Sequence, residues 1–249
     1  MPVSASLLAA SAGVRVASLD LCADEYLLLL ARPHEIASVS RVAQDSADSP
    51  LWREARRYPA NRRGLENVIG TRPTMLLSMG GGGRATTLIA ERLRLRSLTL
   101  SYPSSIGDVE ATMVRVATAL GDARRADGWR ERLARLRTAP LPQRDTIFLS
   151  GGGSSLAAGS LGAQWMALAG FRQRALPGGR ASLETLATTP PAVLLRSTYR
   201  RAQPSLGQRW LDHPLARRTI ARTIATDGRP WTCAGPLMIS EIERLRALR

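Results

Sequence analysis

The chain has 249 residues, with 35 Lys+Arg against 20 Asp+Glu and a formal net charge of +15 at pH 7. Its hydrophobic content of 44% and charged content of 22% argue against a disordered chain, a collagen-like repeat or a small disulfide scaffold. A basic excess attracts nucleic acids and acidic lipid surfaces, but every basic side chain here is arginine and no lysine occurs. This uniform bias indicates codon usage rather than a phosphate-binding face, so nucleic-acid binding is disfavoured.

The N-terminus and the apolar runs bear on cellular location. No run of about 18 apolar residues occurs, so the sequence predicts no membrane span. Residues 4–12 read SASLLAASA and end in the small-x-small form of a signal-peptidase site, although a basic segment and a long apolar segment are missing before it. We assign residues 1–13 either to an N-terminal tail or to the remnant of a signal peptide.

Short apolar runs alternate with helical patterns from Arg15 onward, which predicts an α/β protein with mostly parallel strands. The predicted strands are 15–20, 36–40, 75–79, 97–100, 146–150, 192–197 and 223–227. The predicted helices are 24–30, 65–70, 85–93, 106–120, 164–169 and a last one from about 236 to the end. Residues 123–137 form a further helical pattern with Trp129, Leu133 and Leu136 on one side among many charges, as in an exposed connecting helix.

An internal repeat divides the chain. Leu65-Glu66, Pro73 and Leu76-Leu77 recur as Leu183-Glu184, Pro191 and Leu194-Leu195 at a constant offset of 118 residues. In both copies a short helix opens on Leu-Glu, a proline follows and a strand comes next. The predicted fold is therefore α/β, with two Rossmann-like lobes of mostly parallel sheets joined by a single long α-helix. We place the lobes at residues 14–121 and 140–249 and the connecting helix at 122–139.

A glycine-rich loop offers one enzymatic alternative. Gly80-x-Gly82-x-x-Ala85 lies between a predicted strand and a predicted helix and matches a relaxed dinucleotide fingerprint. The acidic residue that would bind the ribose is absent, because residues 98–102 hold no Asp or Glu. A nucleotide-dependent enzyme that uses the 80–83 loop remains an alternative, as does a basic nucleic-acid-binding protein.

Other catalytic and metal-binding patterns are lacking. The 151–155 loop has no Gly-x-Ser-x-Gly elbow. His34 and His213 stand in turn-like contexts without a companion Cys or carboxylate at ligand spacing. We therefore predict a protein that is not an enzyme, with no catalytic residue, no resident metal and no cofactor.

The predicted ligand site is a cleft between the lobes, because ligands of open α/β sheets bind at the carboxyl ends of the strands. Residues near these ends are Cys22, Asp24, Arg41, Gly80 to Arg84 and Tyr102 in the first lobe, and Ser154, Ser155, Tyr199, Arg200, Arg201, Trp231 and Cys233 in the second. The ligand contacts that we select are Asp24, Arg41, Arg84, Tyr102, Tyr199, Arg200 and Trp231. Arginines and aromatic rings suit a large anionic or planar ligand.

The chain has two cysteines, Cys22 and Cys233, which fall on predicted cleft loops of opposite lobes. Free thiols, a long-range disulfide formed in an oxidising compartment, and a joint contact with the ligand are all compatible with the sequence.

From about Val14 onward the sequence resembles the periplasmic substrate-binding proteins of ABC importers for iron-siderophores, haem and cobalamin, whose two lobes are joined by one long helix. The segments that carry the resemblance are RVASLDLCADEYLLLLA (15–31), IASVS (36–40), GLENVIGTRPTMLLS (64–78), SLETLATTPPAVLL (182–195) and WTCAGP (231–236). The resemblance implies a monomeric periplasmic protein that delivers a metal chelate to an ABC permease and its ATPase.

The resemblance also implies docking residues and a ligand class. The family docks on its permease through one glutamate on each lobe, and these positions match Glu66 and Glu184. Cobalamin-binding members carry tryptophans before these glutamates, whereas this chain has Arg62-Arg63-Gly64 and Gly179-Arg180-Ala181 nearby. We therefore expect an anionic ferric siderophore as the ligand, with a corrinoid or haem as alternatives.

Overall fold

Two parallel β-sheets form the centre of the molecule. The computed structural model describes residues 13–62, 65–81, 83–217 and 220–249, and at 65–66 and 83–87 it describes the backbone alone. Within these residues the first sheet has the strand order β3-β2-β1-β4-β5 and the second has β7-β6-β8-β9. The strands are β1 Val16–Ser18, β2 Ile36–Ser40, β3 Ala60–Asn61, β4 Met75–Met79, β5 Arg96–Leu100, β6 Arg144–Leu149, β7 Phe171–Gln173, β8 Val193–Ser197 and β9 Arg222–Thr226.

Helices connect the strands and cover both faces of each sheet, as parallel pairing requires. They are α1 Leu21–Leu30, α2 Trp52–Ala55, α3 Leu65–Ile69, α4 Gly83–Arg92, α5 Ile106–Ala119, α6 Asp127–Thr138, α7 Leu161–Leu168, α8 Leu183–Thr188, α9 Leu206–Leu211, α10 Pro214–Arg217, α11 Arg229–Cys233 and α12 Met238–Ala247. None of the helices in the described ranges is long and apolar enough to cross a membrane.

The predicted α/β class is confirmed, and the buried strands are located most accurately. The structure gives β2 and β4 the predicted bounds, and every residue of both strands is buried. Two edge strands, β3 and β7, are missing from the prediction because they have two and three residues. The short helices α2, α9, α10 and α11 are also missing, since four to six residues carry too little periodicity to detect.

Side chains alternate between two cores along each strand. On β4, Met75 and Leu77 belong to a large cluster that also contains Phe148 of β6 and Val193 of β8, so this cluster is shared by both lobes. The intervening Leu76 instead packs into a smaller cluster on the outer face of the first sheet. A second small cluster forms the matching outer core of the second lobe. The two lobes therefore share one hydrophobic core, which restricts their relative movement.

The predicted connecting helix, residues 122–139, is present as α6, which begins later, at Asp127. Gly121, at a φ of 95°, follows α5, and Asp122 caps a 3-10 turn, Ala123–Ala126, that leads into α6. Trp129 of α6 donates from its Nε1 to the carbonyl of Pro236 at 2.9 Å. Arg132 pairs with Glu243 of α12 at 2.6 Å. All described strands of the first sheet precede this connection and all those of the second follow it; the exact lobe boundaries stay a prediction.

The internal repeat is a structural repeat. The bounds of β4 and β8 differ by 118 residues at both ends, which is the offset seen in the sequence. Each strand is preceded by the short helix that opens on Leu-Glu, α3 in the first lobe and α8 in the second. The two glutamates consequently occupy equivalent positions in the two lobes.

Candidate ligand-binding cleft between the lobes

A cavity of about 500 Å³ lies between the lobes at the carboxyl ends of the strands. This volume falls within the usual range of small-molecule sites. Its wall is formed by Leu19, Asp20, Leu21, Cys22, Val42, Asp48, Ser78, Met79, Gly81 and Tyr102 from the first lobe and by Tyr199, Arg200 and Thr232 from the second. The structure therefore brings together three of the predicted ligand contacts, Tyr102, Tyr199 and Arg200.

Tyr102 presents an aromatic ring to the cavity. Its side chain is 73% exposed, and the ring lies over the backbone of Gly80. A Cβ at Gly80 would come within 2.5 Å of Tyr102 Cε2, and Gly80 has a φ of 72°. The positive φ favours glycine at this position, whereas the exposed ring of Tyr102 can move aside for a Cβ. Gly80 thus has a backbone role that does not depend on a nucleotide; Gly82 and the side chain of Arg84 lie outside the described residues.

An ion pair joins the two lobes across the cleft. Asp48 of the first lobe is 7% exposed and accepts a hydrogen bond from the Tyr199 hydroxyl at 2.8 Å. It also accepts from Nε of Arg200 at 3.0 Å and from Nη2 at 2.7 Å. We call this cluster the Asp48 bridge. Sequence reasoning did not identify Asp48, because the residue lies in a loop and its partners are about 150 positions away.

The Asp48 bridge constrains Arg200. Its backbone has a φ of 50°, which is uncommon for a residue other than glycine. A second arginine reinforces the same contact between the lobes, since Arg229 donates from Nη1 to the carbonyls of Ser46 and Ser49 at 2.9 and 3.4 Å. The loop that carries Asp48 is therefore attached to the second lobe by two guanidinium groups.

Asp20 adds a second carboxylate to the wall of the cavity. Its Oδ1 accepts from the backbone N–H of Ala23 in the first turn of α1 at 3.0 Å. Its Oδ2 accepts from the N–H of Met79 at the end of β4 at 2.7 Å. Asp20 thus caps α1 and fixes the helix to the neighbouring strand. Among the residues that the structure describes, the cavity wall has two acidic side chains, Asp20 and Asp48, and one arginine.

Asp24 does not reach the cleft. It is 1% exposed, and its carboxylate accepts from the backbone N–H of Ser40 at 3.1 Å and from the Ser40 hydroxyl. Burial raises the pKa of Asp24 to about 7, against the opposing effect of these hydrogen bonds. Burial together with the charge of Asp24 raises the pKa of the neighbouring Glu25 well above its ordinary value. Leu21 and Cys22, at the start of α1, line the cavity, whereas Asp24 and Glu25 are buried in the protein.

Two further predicted contacts, Trp231 and Arg41, lie apart from the cavity wall. The ring of Trp231 packs on Phe148 with centroids 4.9 Å apart, and its Nε1 donates to Thr226 Oγ1 at 2.8 Å. Trp231 therefore belongs mainly to the second lobe's packing. Arg41 is exposed and lines a separate depression that also borders Asp48.

Cys22 and Cys233 form a disulfide bond, with their Cα atoms 5.4 Å apart. Cys22 lies in the first turn of α1 and lines the cavity, whereas Cys233 ends α11 in the second lobe. Of the alternatives that the sequence left open, the structure contains the long-range disulfide. It ties the two lobes together beside the cleft.

The two predicted docking glutamates begin equivalent helices. Glu184 is exposed in the first turn of α8, where Ser182 caps the helix by accepting from the Thr185 N–H at 2.9 Å. Glu66 lies in the first turn of α3, and its side chain is outside the described residues. The described residues contain no group of three or more His, Cys, Asp or Glu arranged to hold a metal ion.

Comparison with known proteins identifies the fold. No protein-family model matches the chain, and no curated protein matches it. A periplasmic haem-binding protein from Pseudomonas aeruginosa is similar with a TM-score of 0.69 at 20% identity, over 94% of this chain and 91% of that one. The periplasmic vitamin B12-binding protein of Vibrio cholerae gives 0.61 at 17% identity, over 94% and 95%.

A third similar structure is the siderophore-binding protein BauB, solved with two molecules of acinetobactin and ferric iron. Its TM-score is 0.66 at 17% identity, over 94% of this chain and 93% of that one. At these identities the similarity shows the fold. The chain has the fold of periplasmic binding proteins, as the sequence resemblance implied.

Proposed function

We propose that this protein is the substrate-binding component of an ABC importer and that it captures a metal chelate between its lobes. The observation that carries the proposal is the 500 Å³ cavity at the facing carboxyl edges of the two sheets, in a fold shared with haem-, vitamin B12- and siderophore-binding proteins. No covalent chemistry is proposed, because binding and release are sufficient for transport.

The cavity wall supports a chelate as the ligand. Tyr102 offers an exposed ring for stacking, and its phenol oxygen is of a type that also binds ferric iron in haem proteins. Tyr199 and Arg200 on the opposite wall supply a hydroxyl and a guanidinium group. We propose a ferric siderophore as the first candidate, with haem and a corrinoid as the alternatives to be tested.

A ligand panel tests the proposal. Tryptophan fluorescence should be quenched saturably by at least one ferric siderophore, haem or corrinoid, with a Kd of about 1 µM or tighter. Tyr102→Ala should weaken this binding by roughly tenfold through the loss of stacking, and Tyr102→Phe separates the ring from the phenol oxygen. Stabilisation by NAD(P) or nucleic acid, with no response to any chelate, would contradict the proposal.

The partner and the location follow from the same proposal. Glu66 and Glu184 would contact basic residues of an ABC permease, one from each lobe, while its ATPase drives transport. The protein would act as a monomer in the periplasm, where an oxidising environment suits the Cys22–Cys233 disulfide.

A further inference from the structure

A second depression adjoins the cavity on the other side of the Asp48 bridge. It has a volume of about 620 Å³, and we call it the arginine hollow. Residues 46–47 form its wall in the first lobe, and the second lobe contributes Arg200, Arg201, Arg229 and Arg244 together with Asp227. Arg200 lines both spaces, so a single ligand could contact it from either side.

The charges that line the two spaces differ in sign. Among the described residues, the cavity wall holds Asp20 and Asp48 with Arg200. The arginine hollow holds four guanidinium groups with Asp227 on its wall; Asp48 and Glu241 are further counter-ions, so the excess positive charge is that of Arg201. Charges that line a concave surface act together on a bound ion. An anionic group would therefore be repelled by the carboxylates of the cavity and attracted into the hollow.

Three of the four guanidinium groups are already held in place. Arg229 pairs with Asp227 at 2.7 Å, Arg244 pairs with Glu241 at 2.6 Å, and Arg200 pairs with Asp48. Groups fixed before binding lose little conformational entropy when a ligand arrives. Among the described residues, the hydrogen bonds of Arg244 use its Nε and Nη2 atoms, so its Nη1 can donate to a ligand.

The fourth group, Arg201, pairs with no acidic side chain among the residues that the structure describes. Its side chain is exposed and makes no hydrogen bond or ion pair with any residue that the structure describes. It follows Arg200 directly and lines the same hollow. Arg201 is therefore the guanidinium group whose removal should disturb the protein least and anion binding most.

We propose that the arginine hollow is an anion subsite of the ligand-binding cleft and that it receives carboxylate groups of a chelate whose metal-binding part lies in the cavity beside Tyr102. The planar fork of arginine matches the two oxygens of a carboxylate. This inference rests on the proposed function and narrows its ligand to chelates that carry free carboxylates. A neutral chelate would use the cavity alone.

The test compares two probes of different charge. Ferric citrate carries free carboxylates, whereas the ferric complex of a neutral tris-hydroxamate does not. Arg201→Gln should lower the affinity for ferric citrate by about tenfold, the order expected for the loss of one charge-assisted hydrogen bond. The affinity for the hydroxamate complex should stay unchanged. Arg172→Gln is the matched control, because Arg172 is an exposed arginine of β7 in the same lobe that does not line the hollow.

A second pair of variants keeps all arginines. Ala202 is exposed and lines the hollow, so Ala202→Glu should repel ferric citrate, and Ala202→Gln controls for side-chain size. The binding of metal-free citrate, measured by calorimetry, tests the anion subsite independently of chelate binding. Metal-free citrate should bind the wild-type protein, and it should bind the Arg201→Gln variant more weakly.

The outcomes separate the two proposals. If citrate does not bind the wild-type protein, or binds it and Arg201→Gln equally, the anion subsite is wrong even if another chelate is captured. If citrate binding depends on Arg201 but no chelate binds, the subsite stands and the proposed function fails. Normal ligand affinities combined with lost uptake in Arg201→Gln would instead make the hollow a surface for acidic residues of the permease and overturn its assignment to the ligand.

Discussion

Asp48 makes the ion pair that joins the two lobes across the cleft. Its carboxylate neutralises Arg200, the one arginine of the cavity wall among the described residues. A ligand carboxylate that binds Arg200 must compete with Asp48 for the same N–H groups. The carboxylate of Asp48 therefore already occupies the position beside Arg200 where we expect a carboxylate of the ligand to bind.

Asp48→Asn should affect stability and affinity in opposite directions. The variant loses the charge of a partly exposed pair, so the free energy of unfolding should fall by about 1 kcal/mol. Without the charge of Asp48, Arg200 should bind ferric citrate roughly threefold or more tightly. The reason is that Arg200 is then held less often in the ion pair that occupies its N–H groups. Urea unfolding and fluorescence titration measure the two effects. A loss of stability with unchanged affinity would mean that Asp48 only holds the lobes together.

The raised pKa of the buried Asp24 should make the stability of the protein depend on pH. Its pKa is raised to about 7 in the folded protein and is about 3.9 in an unfolded chain. The folded state thus binds more protons between these values, and the free energy of unfolding decreases as pH rises from about 4 to 7. Glu25 acts in the same direction. Burial is the main cause of the raised pKa of Asp24; of the groups that face it, Ser40 and Ser18 lower the pKa by hydrogen bonding and the charge of Asp20 raises it.

Asp24→Asn removes the charge and keeps a side chain that can hydrogen-bond Ser40. We expect it to stabilise the protein by about 1–3 kcal/mol at pH 8 and to reduce the slope between pH 5 and pH 8. Urea unfolding at both pH values measures this, with the exposed Asp212→Asn as the control. Equal destabilisation at both pH values would show that hydrogen-bond geometry, not charge, decides the effect.

At the scale of elements, the disulfide attaches the start of α1 to the end of α11. It joins cysteines 211 residues apart, so it removes much conformational freedom from the unfolded chain. The Cys22→Ser, Cys233→Ser double variant should lose roughly 3–5 kcal/mol of stability. The unfolded wild-type protein should show no reactive thiol before reduction, and reductant should lower the wild-type stability only. A free thiol in the unreduced protein would contradict the bond.

The elements also show which features a sequence can specify. The bounds of β2 and β4 could be predicted because both fully buried parallel strands are short runs of apolar residues interrupted only by serine. Tyr102, Tyr199 and Arg200 were placed at the cleft because each follows a recognisable strand. Asp48 was missed, and Asp24 and Trp231 were expected at the cleft although they turn inward, because these outcomes depend on how the lobes pack and not on local spacing. The disulfide depended on the same arrangement, so the sequence alone left it undecided.

At the scale of the whole molecule, a shared core, a disulfide and the Asp48 bridge all join the lobes. This arrangement favours small movements over a wide opening. The surfaces around the two Leu-Glu helices should therefore keep a nearly fixed separation. A partner that contacts both lobes at once could recognise this separation.

The docking proposal predicts that transport and binding can be uncoupled. Glu66→Arg and Glu184→Arg together should abolish chelate uptake in cells, because each would place a positive charge against basic residues of the permease. Ligand affinity should stay within about twofold, since Glu184 does not line the cavity and rim charges mainly affect association with partners. Glu131→Arg, at an exposed acid on α6, is the control and should transport normally. Unchanged uptake in the double variant, or an equal loss in the control, would refute the docking role of the two glutamates.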